Sequence, residues 1–179
     1  NDTATASARG NLSRSNPTYI AATGNANYGY WGGGGPGNTT YVERVDYSND
    51  TANATPKGPL SVARSDHGAT GNNSLGYYVG GTPGTVSTVD RIDFDNDTAT
   101  ASPKGNMDIA KHSLAGASAN ANGLPSNTKQ VDKGADGYTT TALGPAYGYW
   151  IAGDGGGSRY HRVDFSNDTG TAGVRGNLD

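Results

Sequence analysis

Apolar residues in this chain fall in short alternating runs, such as Tyr41 to Tyr47, bounded by Gly, Asn and Asp. Alternation with period two over such a run is the mark of a half-buried strand, and no segment keeps the 3.6-residue spacing of a helix. In the Tyr41–Tyr47 run, Val45 and Tyr47 face one side of the sheet while Arg44 and Asp46 face the other.

The runs recur in register. Asn-Asp-Thr begins at Asn1, Asn49, Asn96 and Asn167, with spacings of 48, 47 and 71. Eleven residues after each Asn stands Leu12, Leu60, Met107 or Leu178, preceded by a basic-Gly step that starts at Arg9, Lys57, Lys104 or Arg175. An aromatic column follows as Gly29-Tyr30-Trp31, Gly76-Tyr77-Tyr78 and Gly148-Tyr149-Trp150, each leading into a Gly-rich turn. Each block closes on a strand ending Arg44-Val45-Asp46-Tyr47, Arg91-Ile92-Asp93-Phe94 or Arg162-Val163-Asp164-Phe165. Four strands fit one block: Thr3 to Ser7, Tyr19 to Thr23, Tyr28 to Gly33 and Tyr41 to Tyr47, with their copies. This divides a single repeat domain into blocks 1–48, 49–95 and 96–166 and a terminal strand 167–179, with an insertion at about 119–143 in the third block.

A period near 48 with four short strands and no helix predicts an all-β chain of β-propeller blades, three blades plus one extra strand. Composition supports sheets that approach closely: there are 29 Gly among 179 residues, and Leu, Ile, Val and Phe together number only 22. The low apolar content would fit disorder, but 13 basic and 16 acidic residues nearly cancel, unlike the charge balance of a disordered polar chain. A sequence pI near 5.5 argues against a nucleic-acid partner. No apolar run approaches the length of a membrane helix. Three blades do not close a ring, since propellers have about four to eight; the expectation is a segment of a longer or multi-chain propeller.

The columns resemble kelch repeats: an Ala63-Arg64 step, an aromatic strand entering a double Gly (Tyr77-Tyr78-Val79-Gly80-Gly81), then Ile92-Asp93-Phe94. Thr98 to Ala101 stand where kelch blades carry a Trp, and Ala152-Gly153 interrupts the double Gly of the third copy. The phrase from Val89 to Ser102, with Ala21 to Asn25 ahead of Tyr28-Gly29-Tyr30, is similar to repeats of virion structural proteins of marine tailed phages, cyanobacterial phages among them. The resemblance implies a virion-surface or extracellular fibre, appendage or adhesin.

Candidate chemistry is sparse. Zero Cys removes thiolate metal sites, cysteine catalysis and the Cys-Tyr copper centre known on kelch propellers. His67, His112 and His161 fall in different columns without metal-ligand spacing, so no metal and no cofactor is expected. Glu43 is the only Glu, so a glycosidase would need two Asp residues. The Arg and Asp pairs Arg44 and Asp46, Arg91 and Asp93, and Arg162 and Asp164 read as structural ion pairs or hydrogen-bonded forks between adjacent sheets, because a column present in every block is what a repeat demands. The Gly-rich loops at Gly32 to Gly37 and Gly153 to Gly157 lack the following helix and Lys-Ser/Thr of a phosphate cradle.

Insertions in repeats lie on one face and often bind. Lys129, Asp132, Lys133, Asp136 and Tyr138 are therefore the candidate binding residues, with Tyr138 stacking on a sugar ring as the sharper form. The sequence predicts a non-enzymatic surface protein presenting loops to a host receptor or glycan, or to copies of itself and other structural proteins. A propeller glycoside enzyme with paired Asp residues and a purely structural fibre are the alternatives.

Overall fold

The computed structural model describes residues 6–118, 129–132, 138–141, 147–151 and 159–177. The chain is all-β. The strands are β1 (Ala21–Gly24), β2 (Tyr28–Gly32), β3 (Val42–Asp46) and β4 (Thr55–Pro56); then β5 (Gly68–Gly71), β6 (Leu75–Val79), β7 (Val89–Asp93) and β8 (Ser102–Pro103). After β9 (Ala115–Ser118) come β10 (Lys129–Asp132) and β11 (Tyr138–Thr141), then β12 (Tyr147–Ile151), β13 (Arg159–Asp164) and β14 (Gly173–Asn177). They form three antiparallel four-stranded sheets in the orders β1-β2-β3-β4, β5-β6-β7-β8 and β9-β12-β13-β14, with β10 and β11 as a separate hairpin. Single-turn 3-10 segments follow β3 and β7, at Tyr47–Asn49 and Phe94–Asn96.

The Asn-Asp-Thr segments at Asn49, Asn96 and Asn167 are turns, and the strand assigned to Thr51–Thr55 and its copies starts later, at Thr55 and at Ser102. The shift has a local cause. Asp46 accepts hydrogen bonds from the Ser48 amide at 2.9 Å and the Ser48 hydroxyl at 2.6 Å, and the Ala52 amide donates to the Asn49 carbonyl at 3.1 Å. These bonds close the chain on itself where an extended backbone would otherwise run. Each sheet therefore takes its outermost strand from the residues after its own turn, and three complete sheets result.

Two apolar cores lie between neighbouring sheets and use the same columns of the repeat. Tyr30, Val42, Leu60, Ala69, Tyr78, Ile92, Phe94 and Ala101 cluster between the first and second sheets. Tyr77, Val79, Val89, Met107, Leu114, Trp150, Val163, Phe165 and Ala172 cluster between the second and third. Tyr30 stacks on Phe94 with ring centroids 4.6 Å apart, and Tyr77 on Phe165 at 4.9 Å. A few large aromatics thus fill cores that the chain's low aliphatic content would leave thin.

The first strands of successive sheets also bond in series. Thr23 Oγ1 donates to the Thr70 carbonyl at 3.1 Å and Thr70 Oγ1 to the Ala117 carbonyl at 3.0 Å. At the outer edge, the glycines of the first three basic-Gly steps each lie on the next turn: a Cβ at Gly10, Gly58 or Gly105 would come within 1.8 to 1.9 Å of the carbonyl oxygen of Ala52, Ala99 or Gly170. The Gly10, Gly58 and Gly105 amides donate to the Asp50, Asp97 and Asp168 carbonyls at 2.8 to 2.9 Å. No side chain fits there, which is why Arg9, Lys57 and Lys104 are each followed by Gly.

Candidate functional site

The side chains that carry the most chemistry meet where one sheet faces the next. Arg44 Nη1 donates to Asp97 Oδ2 at 2.7 Å, the Tyr30 hydroxyl donates to the same oxygen at 2.9 Å, and Lys57 Nζ lies 3.2 Å from Asp97 Oδ1. The next junction repeats this: Arg91 Nη1 and the Tyr77 hydroxyl reach Asp168 Oδ2 at 2.7 and 2.9 Å. Burial, reinforced by the hydrogen bond to Asp97, pushes the Tyr30 hydroxyl far above the ordinary tyrosine value; Asp168 does the same for Tyr77. Burial on its own would lower the Arg44 guanidinium, but its bonds to Tyr30 and Asp97 outweigh that and raise it.

Arg44 and Asp46 sit two residues apart on β3, yet the arginine's hydrogen-bonded partner is in the neighbouring sheet. Asp46 is held by Ser48, which keeps its carboxyl below the usual range, with Arg44 a smaller contributor. Asp93 accepts from the Asp95 amide at 3.0 Å, and Asp164 repeats the Ser48 arrangement with Ser166. Arg162 lies over the Tyr147 ring at 3.9 Å, as Arg44 lies over Tyr28 at 4.2 Å. The partners Asp97 and Asp168 are visible along the chain only as members of the Asn-Asp-Thr column, and nothing in the sequence says that the Asp side chain points to the adjacent sheet.

A second buried column runs between strand three of each sheet and the segment before it. Arg64, fully buried, donates from Nη1 to the Gly80 and Thr88 carbonyls at 3.0 and 2.9 Å and pairs through Nη2 with buried Asp90 at 3.1 Å. Ser61 donates to Asp90 through both its amide and its hydroxyl. In the first sheet, Ser13 and Arg14 take the equivalent roles toward Glu43. In the third the polarity reverses: Asp108 faces buried His161, with 2.8 Å between Oδ1 and Nδ1. These groups tie each sheet to its entering segment.

One rim cluster joins the three residue types of a hydrolase triad. Ser113 Oγ donates to Asp66 Oδ2 at 2.6 Å, and His112 Nδ1 lies 3.3 Å from that oxygen and 3.1 Å from Ser113 Oγ. In a working triad the imidazole stands between hydroxyl and carboxylate, using one ring nitrogen for each. Here a single nitrogen faces both, and the serine proton is committed to the aspartate. The cluster is a polar clasp. His67 is enclosed between the Gly33 and Gly81 turns; burial first, and Arg64 second, lower its pKa to about 3, so it is neutral.

Among the described residues no group of three or more His, Asp or Glu could hold a metal. A groove of about 260 Å³ lined by Arg162, Asp164, Asn167 and Arg175 has a counterpart of about 150 Å³ one repeat earlier, lined by Arg91, Asp93, Asn96 and Ser102. Both are smaller than the roughly 300 Å³ at which ligand pockets begin, whereas a third groove, of about 620 Å³, lies along Asn11 to Pro17 and Asn53.

Within the insertion, Lys129 and Asp132 lie on β10 and Tyr138 on β11, with Asp132 opposite Tyr138 and Lys129 opposite Thr141 in the register. The segment expected as a loop therefore contains a hairpin, in keeping with the β-branched run Thr139 to Thr141. Lys133 and Asp136 fall outside the described residues. No protein-family model matches this chain, and the comparison with curated proteins finds no similar one.

Proposed function

We propose that the three sheets are kelch-like blades of a propeller-type array, and that the protein is a non-enzymatic scaffold on a virion or other extracellular surface. Its loops, the 119–143 insertion foremost, present polar and aromatic side chains to a cell-surface glycan or receptor or to neighbouring structural proteins. The observation that supports this reading best is the commitment of the acidic side chains. Asp90, Asp97 and Asp168 each accept from an arginine plus at least one hydroxyl, and Asp46 and Asp164 from serines in their own turns. A glycosidase needs one carboxyl free to donate a proton and a second free to attack or to activate water; these five are held as acceptors by structural partners. Recognition through many weak loop contacts on a multi-copy particle gains strength by avidity.

The test is to present the full chain, immobilised in many copies, to an array of bacterial surface polysaccharides while assaying the same glycans for released reducing ends. The expected result is saturable retention of a subset, weakened by Tyr138→Ala, with no release. Release of reducing ends would overturn the reading in favour of hydrolysis; retention of no glycan or receptor preparation would leave the protein a structural repeat alone.

A further inference from the structure

We infer that the two end faces of the three-sheet array are the complementary halves of one more junction, so that copies of this chain associate head to tail, the third sheet of one against the first sheet of the next. The inference rests on what the chain does twice internally. At each internal junction an arginine and a tyrosine hydroxyl of one sheet converge on an Asn-Asp-Thr aspartate of the next, and the tyrosine ring stacks on a phenylalanine of that next sheet.

The third sheet carries the donor half with no acceptor among the described residues. Tyr149 and Arg162 occupy the columns of Tyr30 and Arg44, and both are half-buried. Arg162 lies over Tyr147 as Arg44 lies over Tyr28, so the guanidinium is already held in the pose used at the internal junction. The first sheet carries the acceptor half. Asp50 stands in the column of Asp97 and Asp168, but its side chain is 45% exposed where theirs are 8% exposed. Tyr47 stands in the column of Phe94 and Phe165 and is 50% exposed, against 7% and 8%. Trp31 and Val45 are half-buried, whereas Tyr78, Trp150, Ile92 and Val163 in the same columns are buried. One face thus offers a guanidinium and a hydroxyl, the other a carboxylate beside apolar and aromatic surface.

The partner that fits both halves is a second copy, joined heterologously, because each face matches the opposite end of the same molecule and not itself. Arg9, 3.2 Å from Asp50, already fills the place that Lys57 has at Asp97, so the arriving copy supplies Tyr149 and Arg162. Residues 6–10 and the arriving β14 share one column of the repeat, and one of them yields the outer edge on docking.

Sedimentation equilibrium of the full chain, in buffer without glycan, tests the inference separately from the proposed function. The mass is expected to rise above that of one chain as concentration approaches about 100 μM, the range of a weak specific interface. Asp50→Ala and Arg162→Ala lie on exposed or half-exposed ends, keep the fold by circular dichroism, and each weaken self-association by about 30-fold or more. Mixing the two variants restores one intact junction, the third sheet of Asp50→Ala on the first sheet of Arg162→Ala, and gives a dimer. A chain that stays monomeric throughout, association unaffected by either variant, or two variants that fail to rescue each other would overturn the inference.

Discussion

The junction aspartates provide a controlled comparison, because one column of the repeat holds an enclosed and an open version of the same residue. Asp97 accepts from Arg44, Tyr30 and Lys57 with its side chain 8% exposed, and Lys57 is itself 10% exposed. Replacing it with Ala leaves two cations and a buried hydroxyl without their acceptor. Removing one partner of a buried pair costs about 3 to 5 kcal/mol. Arg44 keeps 25% of its side-chain exposure and can recover some hydration, which places the cost at the lower end, about 3 kcal/mol. For a chain of 179 residues this lowers the melting temperature by roughly 6 to 12 °C. Asp50→Ala removes the same side chain from the same column, but both Asp50 and Arg9 are about half exposed, and such a pair contributes about 0 to 1 kcal/mol. Thermal unfolding at low micromolar concentration, followed by circular dichroism and Trp fluorescence, measures both losses below the range of self-association. Equal losses, or an Asp97→Ala loss under about 1 kcal/mol, would refute the reasoning that the enclosed junction couples the sheets.

Further outcomes follow from the same geometry. Gly58→Ala drives a Cβ to 1.9 Å from the Ala99 carbonyl and is expected to cost several kcal/mol in urea unfolding, whereas Gly173→Ala, with nothing within 4 Å, stays within about 0.5 kcal/mol. Tyr78→Phe deletes the 3.1 Å bond from a buried hydroxyl to the Tyr30 carbonyl and is expected to cost about 1 kcal/mol. His67 has a folded pKa of about 3 against an ordinary 6.5, so the unfolded chain binds the proton more readily. Its contribution is complete above pH 6.5 and is lost as pH falls toward 3, the loss reaching about 2 kcal/mol at pH 5. His67→Gln is therefore expected to flatten the pH dependence of stability across that window; an unchanged slope would show that His67 is not the titrating group.

Much of the architecture is legible along the chain because repetition makes it so. The columns that place β2 and β3 in every sheet are those of Gly29-Tyr30-Trp31 and Arg44-Val45-Asp46, and alternation marks them as strands. The outermost strands were less readable: Thr51 to Thr55 alternates like a strand, but the Asp46 and Ser48 bonds fold its start into a turn. The partners of Arg44 and Arg91 were unreadable for a different reason. A strand's period says which face a side chain occupies, but which residue of the adjacent sheet stands opposite depends on how two sheets stack, and that is fixed by Tyr30 on Phe94 and Gly58 on Ala99, contacts some 40 to 60 residues apart. The insertion kept its hairpin hidden because its short polar strands carry little alternation. Its five candidate residues are a property of this block alone, with no copy elsewhere in the chain to align against.

Arg44 and Arg91, on the third strands of the first and second sheets, hold those sheets to the next through Asp97 and Asp168 and not through the aspartate two residues along their own strand. A pair of double-mutant cycles at Arg44, one with Asp97 and one with Asp46, measures this directly. The expected coupling is about 1.5 kcal/mol or more for Arg44 with Asp97 and under about 0.5 kcal/mol for Arg44 with Asp46. The reverse order would place the arginine in its own strand and contradict the junction on which the array is built.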